Sequence, residues 1–508
     1  MEKQSLKYSP ATTGKARAFV IPGGARQDRE IHYASYMRVD SGSQSLGDVT
    51  PIRMNDPNAF DRFIDVGFIR GSKSNPTTSL VEKLPLEIRS TIDRLARSGV
   101  PFDVHIQFGE CFNPSDIRQF ASGIVYEYAN ATSHDNDALI ALDDGENSEI
   151  RETLAVSAQD RYRYVPLGYS NRAAEDVINE IVDVFIKRTR DCADDPAKPM
   201  LQMAVTKAEG GSPGTGPYFF WSLDGGATWH SHEVDSLGNA SGDDPSGVAV
   251  IGDYIVVTSA DAKKLAYTEV APFYYPDVPG FDPLFSSVAT GLKDNPMAID
   301  SIGIMGFVVG DSGYVYKVDE VALGVQVVDD GNASGGNRLN AVYAFDESSV
   351  IAVGNAGTVV YSHDGKTFSA APKAPVGVGV NLISCAMRYA DEWWVGANDG
   401  TLYVTFDSGV HWTKVTLPGT TPSSITGITW ASHSVGYVAA TVSGAGRIYR
   451  TICGGIVWGV EPQLSTYAMP KSTKLNKIAA DPEDVNRILV GGANSTDGVL
   501  ILGTDAKV

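Results

Sequence analysis

The side chains best suited to chemistry lie beyond residue 200, among glycines and asparagines. His230 and His232 alternate along a predicted strand, so both rings would share one face, the minimal geometry for a metal ion. Two acidic pairs, 243–244 and 329–330, offer oxygen ligands for a hard cation. Solvated histidines on an edge strand and polar loops explain the same residues more simply. We favour that interpretation and predict no metal site.

A short turn motif recurs in the same region. Its first copy, Ser-Leu-Asp-Gly-Gly-Ala-Thr-Trp, covers 222–229, and further copies cover 362–368, 405–412 and 451–458, where Cys453 replaces the aspartate. Aspartate accepts hydrogen bonds from nearby backbone N–H groups, glycine permits positive φ, and the aromatic ring packs between sheets. We therefore predict structural turns rather than catalytic groups. The predicted turn residues are Ser222, Asp224, Gly226, Trp229, Ser362, Asp364, Gly365, Phe368, Thr405, Asp407, Gly409 and Trp412.

These turns belong to internal repeats that fill the chain from about residue 200. Equivalent apolar strands begin at Leu339, Leu382, Ile425 and Leu475, with spacings of 43, 43 and 50 residues. Such a period fits four strands per repeat and predicts a mainly β protein whose C-terminal part is a β-propeller. We expect seven blades, with six as the alternative. The repeats span about 201–236, 248–290, 298–328, 339–373, 382–417, 425–461 and 475–508. The first lacks an inner strand and the last an outer strand, so ring closure stays open.

The turn motif resembles the Asp-box, or bacterial neuraminidase repeat, of β-propellers. Together with Val-Gly-x-x-Gly-x-Val-Tyr stretches such as 309–316, it looks most like the propeller family of the photosystem II assembly factors. The resemblance covers about 200–508 and implies the fold rather than a function. Sialidases share the box, but they also need an arginine triad and a Phe/Tyr-Arg-Ile-Pro motif, which this chain lacks. We therefore predict a non-enzyme with no catalytic residue and no cofactor.

The N-terminal part has a different pattern. We predict an arm over 1–15, a β-barrel or sandwich domain with flanking helices over 16–188, and a linker over 189–200 before the propeller at 201–508. The two helices are predicted over 85–97 and 173–187 from apolar residues at helical spacing. The order of strands and turns from Gly47 to Cys111 looks like tail-tube-type virion proteins of tailed phages. This resemblance covers about 15–190.

The second resemblance implies a structural role. Such subunits form homo-oligomeric rings, hexameric in our expectation, that stack into a tube through which DNA only passes, beside other tail proteins. A long hairpin completes the inner wall, and our candidates for it are 31–39 and 60–69. Polar tips at 133–138 and 143–146 are candidates for touching the next ring. Further candidates for inter-subunit contacts are Arg161, Arg163 and Tyr164, with an ordinary exposed strand face as the equal alternative.

Charge and composition exclude several classes of protein. The net charge is −20, of which residues 200–508 carry −14, so a nucleic-acid-binding surface is not expected. Four dispersed cysteines form neither a metal cluster nor a disulfide framework. We see no apolar leader and no membrane span, so we expect synthesis in the host cytoplasm. The resemblance to tail-tube-type proteins implies residence in a phage virion.

Two further functions remain as alternatives to the tube protein with a decorating propeller. The first is a carbohydrate- or receptor-binding module of a baseplate or capsid decoration, adhering to host surface glycans. Its candidate stacking residues are Trp393 and Trp394, together with Tyr274 and Tyr275. An assembly factor or a sialidase-like hydrolase is less favoured, because the propeller is acidic and lacks the hydrolase motif.

Overall fold

Two compact units make up the described part of the chain; one ends at Tyr164 and the other begins at Val165. The computed structural model describes residues 16–22, 32–33, 37–43, 49–55, 63–70, 75–84, 96–97, 99–108, 122–136, 150–165, 167–171, 179–186, 201–207, 217–237, 244–270, 273, 284–288, 291–320, 323–461, 473–494 and 497–505. Nearly all of these residues lie in β-strands and turns, as the mainly β prediction requires.

The first unit is an antiparallel sheet of eight strands with order β2-β1-β7-β8-β9-β6-β3, in which β10 also pairs with β8. A ribbon of two further strands, β4 and β5, pairs separately. The strands are β1 (Ala16–Pro22), β2 (His32–Tyr33), β3 (Met37–Ser43), β4 (Val49–Asn55), β5 (Phe63–Arg70), β6 (Thr77–Leu84), β7 (Phe102–Phe108), β8 (Ser122–Asn136), β9 (Ile150–Ser157) and β10 (Asp160–Tyr164).

The long strand β8 bends the sheet. Its first half pairs with β7 and β10, and its second half, from Asn130, pairs with β9. Tyr128 lies at the change with a φ of 48°, and Asp103 Oδ1 accepts its backbone N–H at 3.0 Å. The core of this unit lies beside the bend and includes Phe102, Tyr126 and Leu154. A bend of this kind lets one strand pair with neighbours in two parts of a curved sheet.

The predicted flanking helices do not describe the structure well. Of the helix expected over 85–97, Ala96 and Arg97 are helical and the rest lies outside the described residues. The helix expected over 173–187 is wrong where it can be seen, because Ile181–Ile186 is a strand. Its apolar residues are buried on both faces of the strand, and a run of that kind cannot be told from a buried helix by periodicity alone.

The second unit consists of seven four-stranded antiparallel sheets. Each sheet is a blade. Within a blade, the first strand is the one nearest the ring axis and the fourth is the outermost. The blades are β12–β15 (Ile181–Ile186, Gln202–Thr206, Tyr218–Ser222, His230–Glu233), β16–β19 (Pro245–Ile251, Tyr254–Ser259, Leu265–Glu269, Ser286–Val288), β20–β23 (Pro296–Ile302, Met305–Gly310, Val315–Asp319, Val325–Asp329), β24–β27 (Leu339–Ala344, Val350–Gly354, Val359–Ser362, Ser369–Ala370), β28–β31 (Leu382–Tyr389, Glu392–Ala397, Leu402–Thr405, Thr413–Val415), β32–β35 (Ser424–Trp430, Gly436–Val442, Ala445–Thr451, Gly459–Val460), and β36–β38 (Lys474–Ala480, Ile488–Ala493, Gly498–Asp505) with β11 (Leu167–Asn171). Short 3₁₀ turns cover Asp235–Leu237 and Asn355–Gly357.

Ring closure uses two strands that precede the expected start of the propeller. Strand β12 is the inner strand of the first blade and neighbours β36, the inner strand of the last. Strand β11 pairs with β38 and is the outer strand of the last blade. The boundary expected at 200/201 is therefore wrong, because both missing strands come from the segment assigned to the N-terminal domain. The last blade therefore combines one strand from before the first blade with three strands from the C-terminal end, which closes the ring.

Candidate functional surfaces of the propeller

The Asp-box turns all connect the third and fourth strands of a blade. In the first turn, Asp224 Oδ1 accepts the N–H groups of Ala227 and Thr228, each at 2.9 Å. Thr228 Oγ1 donates to Asp224 Oδ2 at 2.6 Å. Ser222 Oγ donates to Asp224 Oδ1 and accepts the N–H of Gly226, again at 2.9 Å. The polar atoms of this box form hydrogen bonds within the turn itself, so these residues have a structural role.

Hydrogen bonding stabilises the charged form of these carboxylates. Burial acts to raise the pKa of Asp224, but the hydrogen bonds from Thr228 and Ser222 outweigh it, and the pKa lies below its ordinary value. Hydrogen bonds from Thr367 and Lys366 lower the pKa of Asp364 in the same way. Carboxylates held in this state are acceptors rather than proton donors at neutral pH.

The degenerate box keeps its shape without an aspartate. Thr451 Oγ1 accepts the N–H of Gly455 at 3.0 Å, as the serine does in the first box. The buried sulfur of Cys453 lies 3.3 Å from the backbone nitrogen of Val457, in the place of a carboxylate oxygen. The thiol is therefore packed within the turn.

Trp393 and Trp394 do not form a glycan-stacking surface, because both side chains are 0% exposed. They are successive residues of β29, so their indoles point to opposite faces of the blade. Trp393 packs against Tyr361 of the preceding blade with ring centroids 4.9 Å apart. Trp394 packs against Trp430 and Trp458 of the following blade at 5.3 and 5.7 Å. Both indoles fill interfaces between blades, and Tyr274 and Tyr275 lie outside the described residues.

The turn glycines explain why these indoles sit where they do. A Cβ on Gly455 would lie 2.3 Å from the Trp394 ring, and one on Gly409 would lie 3.2 Å from that of Trp393. Both glycines have φ near 80°. These two boxes therefore close over a tryptophan, and a larger residue at Gly455 would clash with the ring of Trp394.

A buried ion pair lies beside Trp394. Arg388 donates Nε and Nη2 to the two oxygens of Glu392, each at 2.7 Å, and Trp394 Nε1 donates to Glu392 Oε1 at 2.9 Å. Arg388 Nη1 donates to the carbonyl of His433 at 2.8 Å. The side chains of Arg388 and Glu392 are 9% and 0% exposed, so this cluster belongs to the packing between two blades.

Polar side chains on the inner strands join neighbouring blades around the axis. Asp183 Oδ2 accepts the N–H of Val248 at 2.9 Å, and Asp300 Oδ2 accepts that of Ala344 at 2.8 Å. Further bonds join Ser384 to Ile425, Asn340 to Leu382, Thr429 to Ala480 and Asn476 to Ile181. Sequence reasoning missed this set. Polar residues inside apolar strand runs are the signal that could have found it.

The candidate metal ligands do not converge. His230 is exposed and stacks on Trp221 at 5.3 Å, and His232 is half-buried on the same edge strand. Asp329 accepts the N–H of Ala333 at 3.3 Å within its own loop. Asp243 lies outside the described residues. Within the described ranges, no group of three histidine, cysteine or acidic side chains is placed to hold a metal ion.

The candidate contact residues of the first unit differ in exposure. Arg161 and Arg163 are exposed, and the Arg161 guanidinium lies 5.7 Å from the Tyr126 ring. Tyr164 is fully buried, so it cannot take part in an inter-subunit contact as expected. Of the two polar tips, 133–136 belongs to strand β8, and 143–146 lies outside the described residues.

Comparison with known proteins finds solved structures that are similar to part of this chain. No protein-family model and no curated protein matches the chain. The structure of YCF48 from Cyanidioschyzon merolae is 15% identical, with a TM-score of 0.48 over 67% of this chain and 99% of that one. The WD40 propeller domain of Doa1 is 13% identical, with a TM-score of 0.45 over 67% and 98%. The GH74 xyloglucanase from Xanthomonas campestris is 14% identical, with a TM-score of 0.45 over 67% and 54%.

The seven sheets and their neighbouring inner strands define the second unit as a seven-bladed β-propeller. The chain as a whole is a propeller protein with a preceding unit built on an eight-stranded sheet. Within the described ranges, no helix is long and apolar enough to cross a membrane.

Proposed function

We propose that this chain is a structural protein of a tailed-phage virion. The N-terminal unit assembles into homo-oligomeric, hexameric rings that stack as the tail tube beside other tail proteins, and DNA passes through the lumen. The propeller decorates the outside and has no catalytic role. The protein is made in the host cytoplasm and resides in the virion.

The observation that carries the proposal is the separate ribbon of β4 and β5. Its two strands pair along their length, from Val49 opposite Arg70 to Asn55 opposite Phe63. Among the described strands, neither pairs with the eight-stranded sheet. A hairpin of this kind is what a ring subunit needs to complete an inner wall, and it includes most of the candidate segment 60–69.

One end of the main sheet also favours assembly. Strand β2 is a terminal strand and, in the described part of the chain, pairs on one side only, whereas the other terminal strand, β3, lies beside β1. An edge strand presents backbone donors and acceptors that a neighbouring subunit can use. Ring formation would pair such edges in a closed symmetry.

A decorating role for the propeller is supported by the structural role of its distinctive residues. The box residues, the paired indoles and the axial polar groups bond to the fold itself. The surface is acidic, since residues 200–508 carry −14 of the net charge. An acidic exterior remains soluble at high local density and repels phosphate backbones.

The test is assembly of the full-length chain over a concentration series, followed by mass photometry and negative-stain electron microscopy. We expect rings, and stacked tubes at higher concentration. A variant with residues 49–70 replaced by a Gly/Ser linker should stay monomeric. Its propeller should keep the wild-type melting transition, which separates lost assembly from lost folding.

Two results would count against the proposal. One is a full-length chain that stays monomeric at every concentration. The other is a ribbon replacement that assembles as well as the wild type, which would remove the hairpin from the assembly mechanism.

A further inference from the structure

A cavity lies on the axis of the propeller. Inner strands of six blades line it, all except that of the second blade, so it is at the centre of the ring. Its wall includes one residue at the same position in each of these six strands. These residues are Val184, Ile299, Val342, Cys385, Ile428 and Ile478.

The equivalence of these positions comes from a bulge that recurs in all seven inner strands. In each one, the register with the second strand shifts near the start of the inner strand, for example between Ile181 and Asp183 and between Leu475 and Lys477. The inner strand Leu382–Tyr389 has a second shift near its end. The wall residue follows the bulge at a constant distance. Five of the six are branched aliphatic residues, so the cavity has an apolar belt that suits a hydrocarbon chain.

The charges in the cavity are unequal. Among its lining residues the charged side chains are Asp183, Asp300 and Lys477, two carboxylates and one ammonium group. Asp183 is 4% exposed and Asp300 8% exposed, whereas the Lys477 side chain is 34% exposed. Lys477 Nζ lies 3.7 Å from Asp183 Oδ1. The site therefore carries one negative charge in excess inside a ring of apolar side chains.

Such a charge distribution favours a cation. Burial is the main influence that raises the pKa of Asp183, Lys477 opposes it, and Asp300 adds to the rise. Removing a carboxylate from water is unfavourable unless a positive charge or hydrogen bonds compensate it. For Asp183, the N–H groups of Val184 and Val248 and the Lys477 ammonium supply part of this compensation. Asp300 accepts the N–H of Ala344. A second ammonium group in the cavity would balance the remaining formal charge of the lining.

We propose that this axial cavity binds an alkylammonium group, with its ammonium near Asp300 and Asp183 and its methylenes against the aliphatic belt. The same chemistry occurs in a free primary amine and in the side chain of a lysine on a partner protein. Neither the proposed virion role nor its test depends on this site.

The experiment is calorimetric titration of the full-length protein with n-butylammonium chloride. In parallel, a short acetylated and amidated Gly-Lys-Gly peptide is titrated to distinguish a free amine from a lysine side chain. We expect a dissociation constant on the order of millimolar for the small amine, because few atoms make contact. n-Butanol and ammonium chloride should each bind far more weakly, since one lacks the charge and the other the chain.

Two variants test the assigned groups. Asp300→Asn should weaken n-butylammonium binding about tenfold or more, because a charge-assisted hydrogen bond is lost. Glu347→Gln is the matched control, since Glu347 is exposed and is not among the cavity residues. It should bind like the wild type.

Lys477→Ala gives a readout of a different kind. This variant leaves two carboxylates without the resident ammonium, so its melting temperature should fall. n-Butylammonium should then raise it more than it raises that of the wild type. The proposal is overturned if the wild type shows neither heat nor stabilisation with n-butylammonium. Equal binding by the wild type and Asp300→Asn would overturn it as well, even if Lys477→Ala fails to fold.

Discussion

Asp224, Asp364 and Asp407 show how single residues hold the turns of the propeller. Asp364 accepts the backbone N–H groups of Lys366 and Thr367, and Asp407 accepts that of His411 at 2.8 Å. His411 Nδ1 also lies 2.6 Å from Asp407 Oδ2. In each case the carboxylate replaces the water that would otherwise solvate the turn. Substitution of these residues should therefore lower the free energy of unfolding.

Replacing Asp224 by alanine should reduce stability modestly. The change removes the acceptor of three hydrogen bonds from Ala227 and Thr228, and we expect a loss of roughly 1–2 kcal/mol. Urea unfolding followed by circular dichroism measures it. Asp224→Asn is the control, because it keeps one carbonyl acceptor and should lose less. Equal stability of wild type and alanine variant would show that the box bonds are not needed.

The boxes should also contribute to acid sensitivity. The pKa values of Asp224, Asp364 and Asp407 lie below the ordinary aspartate value of 3.8 in the folded protein. Their stabilisation is therefore fully present above that value and is lost as the pH falls through the folded pKa values. Melting temperatures of the wild type and of a triple Asp→Asn variant should differ most above about pH 5 and converge in stronger acid. A difference that grows in acid would contradict this assignment.

At the scale of elements, one strand can serve two blade interfaces. Successive residues of β29 point to opposite faces, so Trp393 and Trp394 pack against the preceding and the following blade. Glu392, on the same strand, binds the Arg388 guanidinium of β28 and the Trp394 indole. The strand therefore connects three blades through its side chains.

Trp393→Ala and Trp394→Ala should each be strongly destabilising. Each removes a fully buried indole, and large-to-small changes of this kind typically lose about 3–5 kcal/mol. Trp412→Ala should lose less, because Trp412 is only half-buried. Denaturant unfolding checks the order. If the two buried variants stayed as stable as the wild type but lost binding on a glycan array, the stacking hypothesis would return.

For the whole molecule, closure of the ring decides where the propeller begins. Backbone atoms of Val165 bond to the last two blades: its N–H donates to Asn486 Oδ1 at 2.9 Å, and its carbonyl accepts Arg450 Nη1 at 2.8 Å. Glu180 accepts Lys207 Nζ at 2.6 Å and Asn476 Nδ2 at 2.8 Å, which joins the first and last blades. The segment before residue 201 thus completes the ring.

Truncation tests this boundary directly. A chain that starts at Val165 keeps β11 and β12 and should melt in one cooperative transition. A chain that starts at Leu201 lacks the inner strand of the first blade and the outer strand of the last, so it should aggregate or melt without cooperativity. Calorimetry and circular dichroism distinguish the two. Similar cooperative melting of both chains would show that the two strands are dispensable.

The sequence by itself determined the repeat, the turn chemistry and the class of fold. Strand–turn–strand patterns are local, so the units beginning at Leu339, Leu382 and Ile425 are readable from spacing alone. The box residues are equally readable, because a turn is made by residues close in the chain. The same local signals led to the expectation of seven blades.

Only the tertiary structure decided which strands close the ring and which residues meet. Leu167–Asn171 pairs with a strand more than three hundred residues away, and no local pattern encodes such a partner. The apolar run at Ile181–Ile186 fits a helix or a strand until the neighbouring blades bury both of its faces. Burial of Trp393 and Trp394, and the meeting of Asp183, Asp300 and Lys477 at the axis, likewise depend on how separate blades pack.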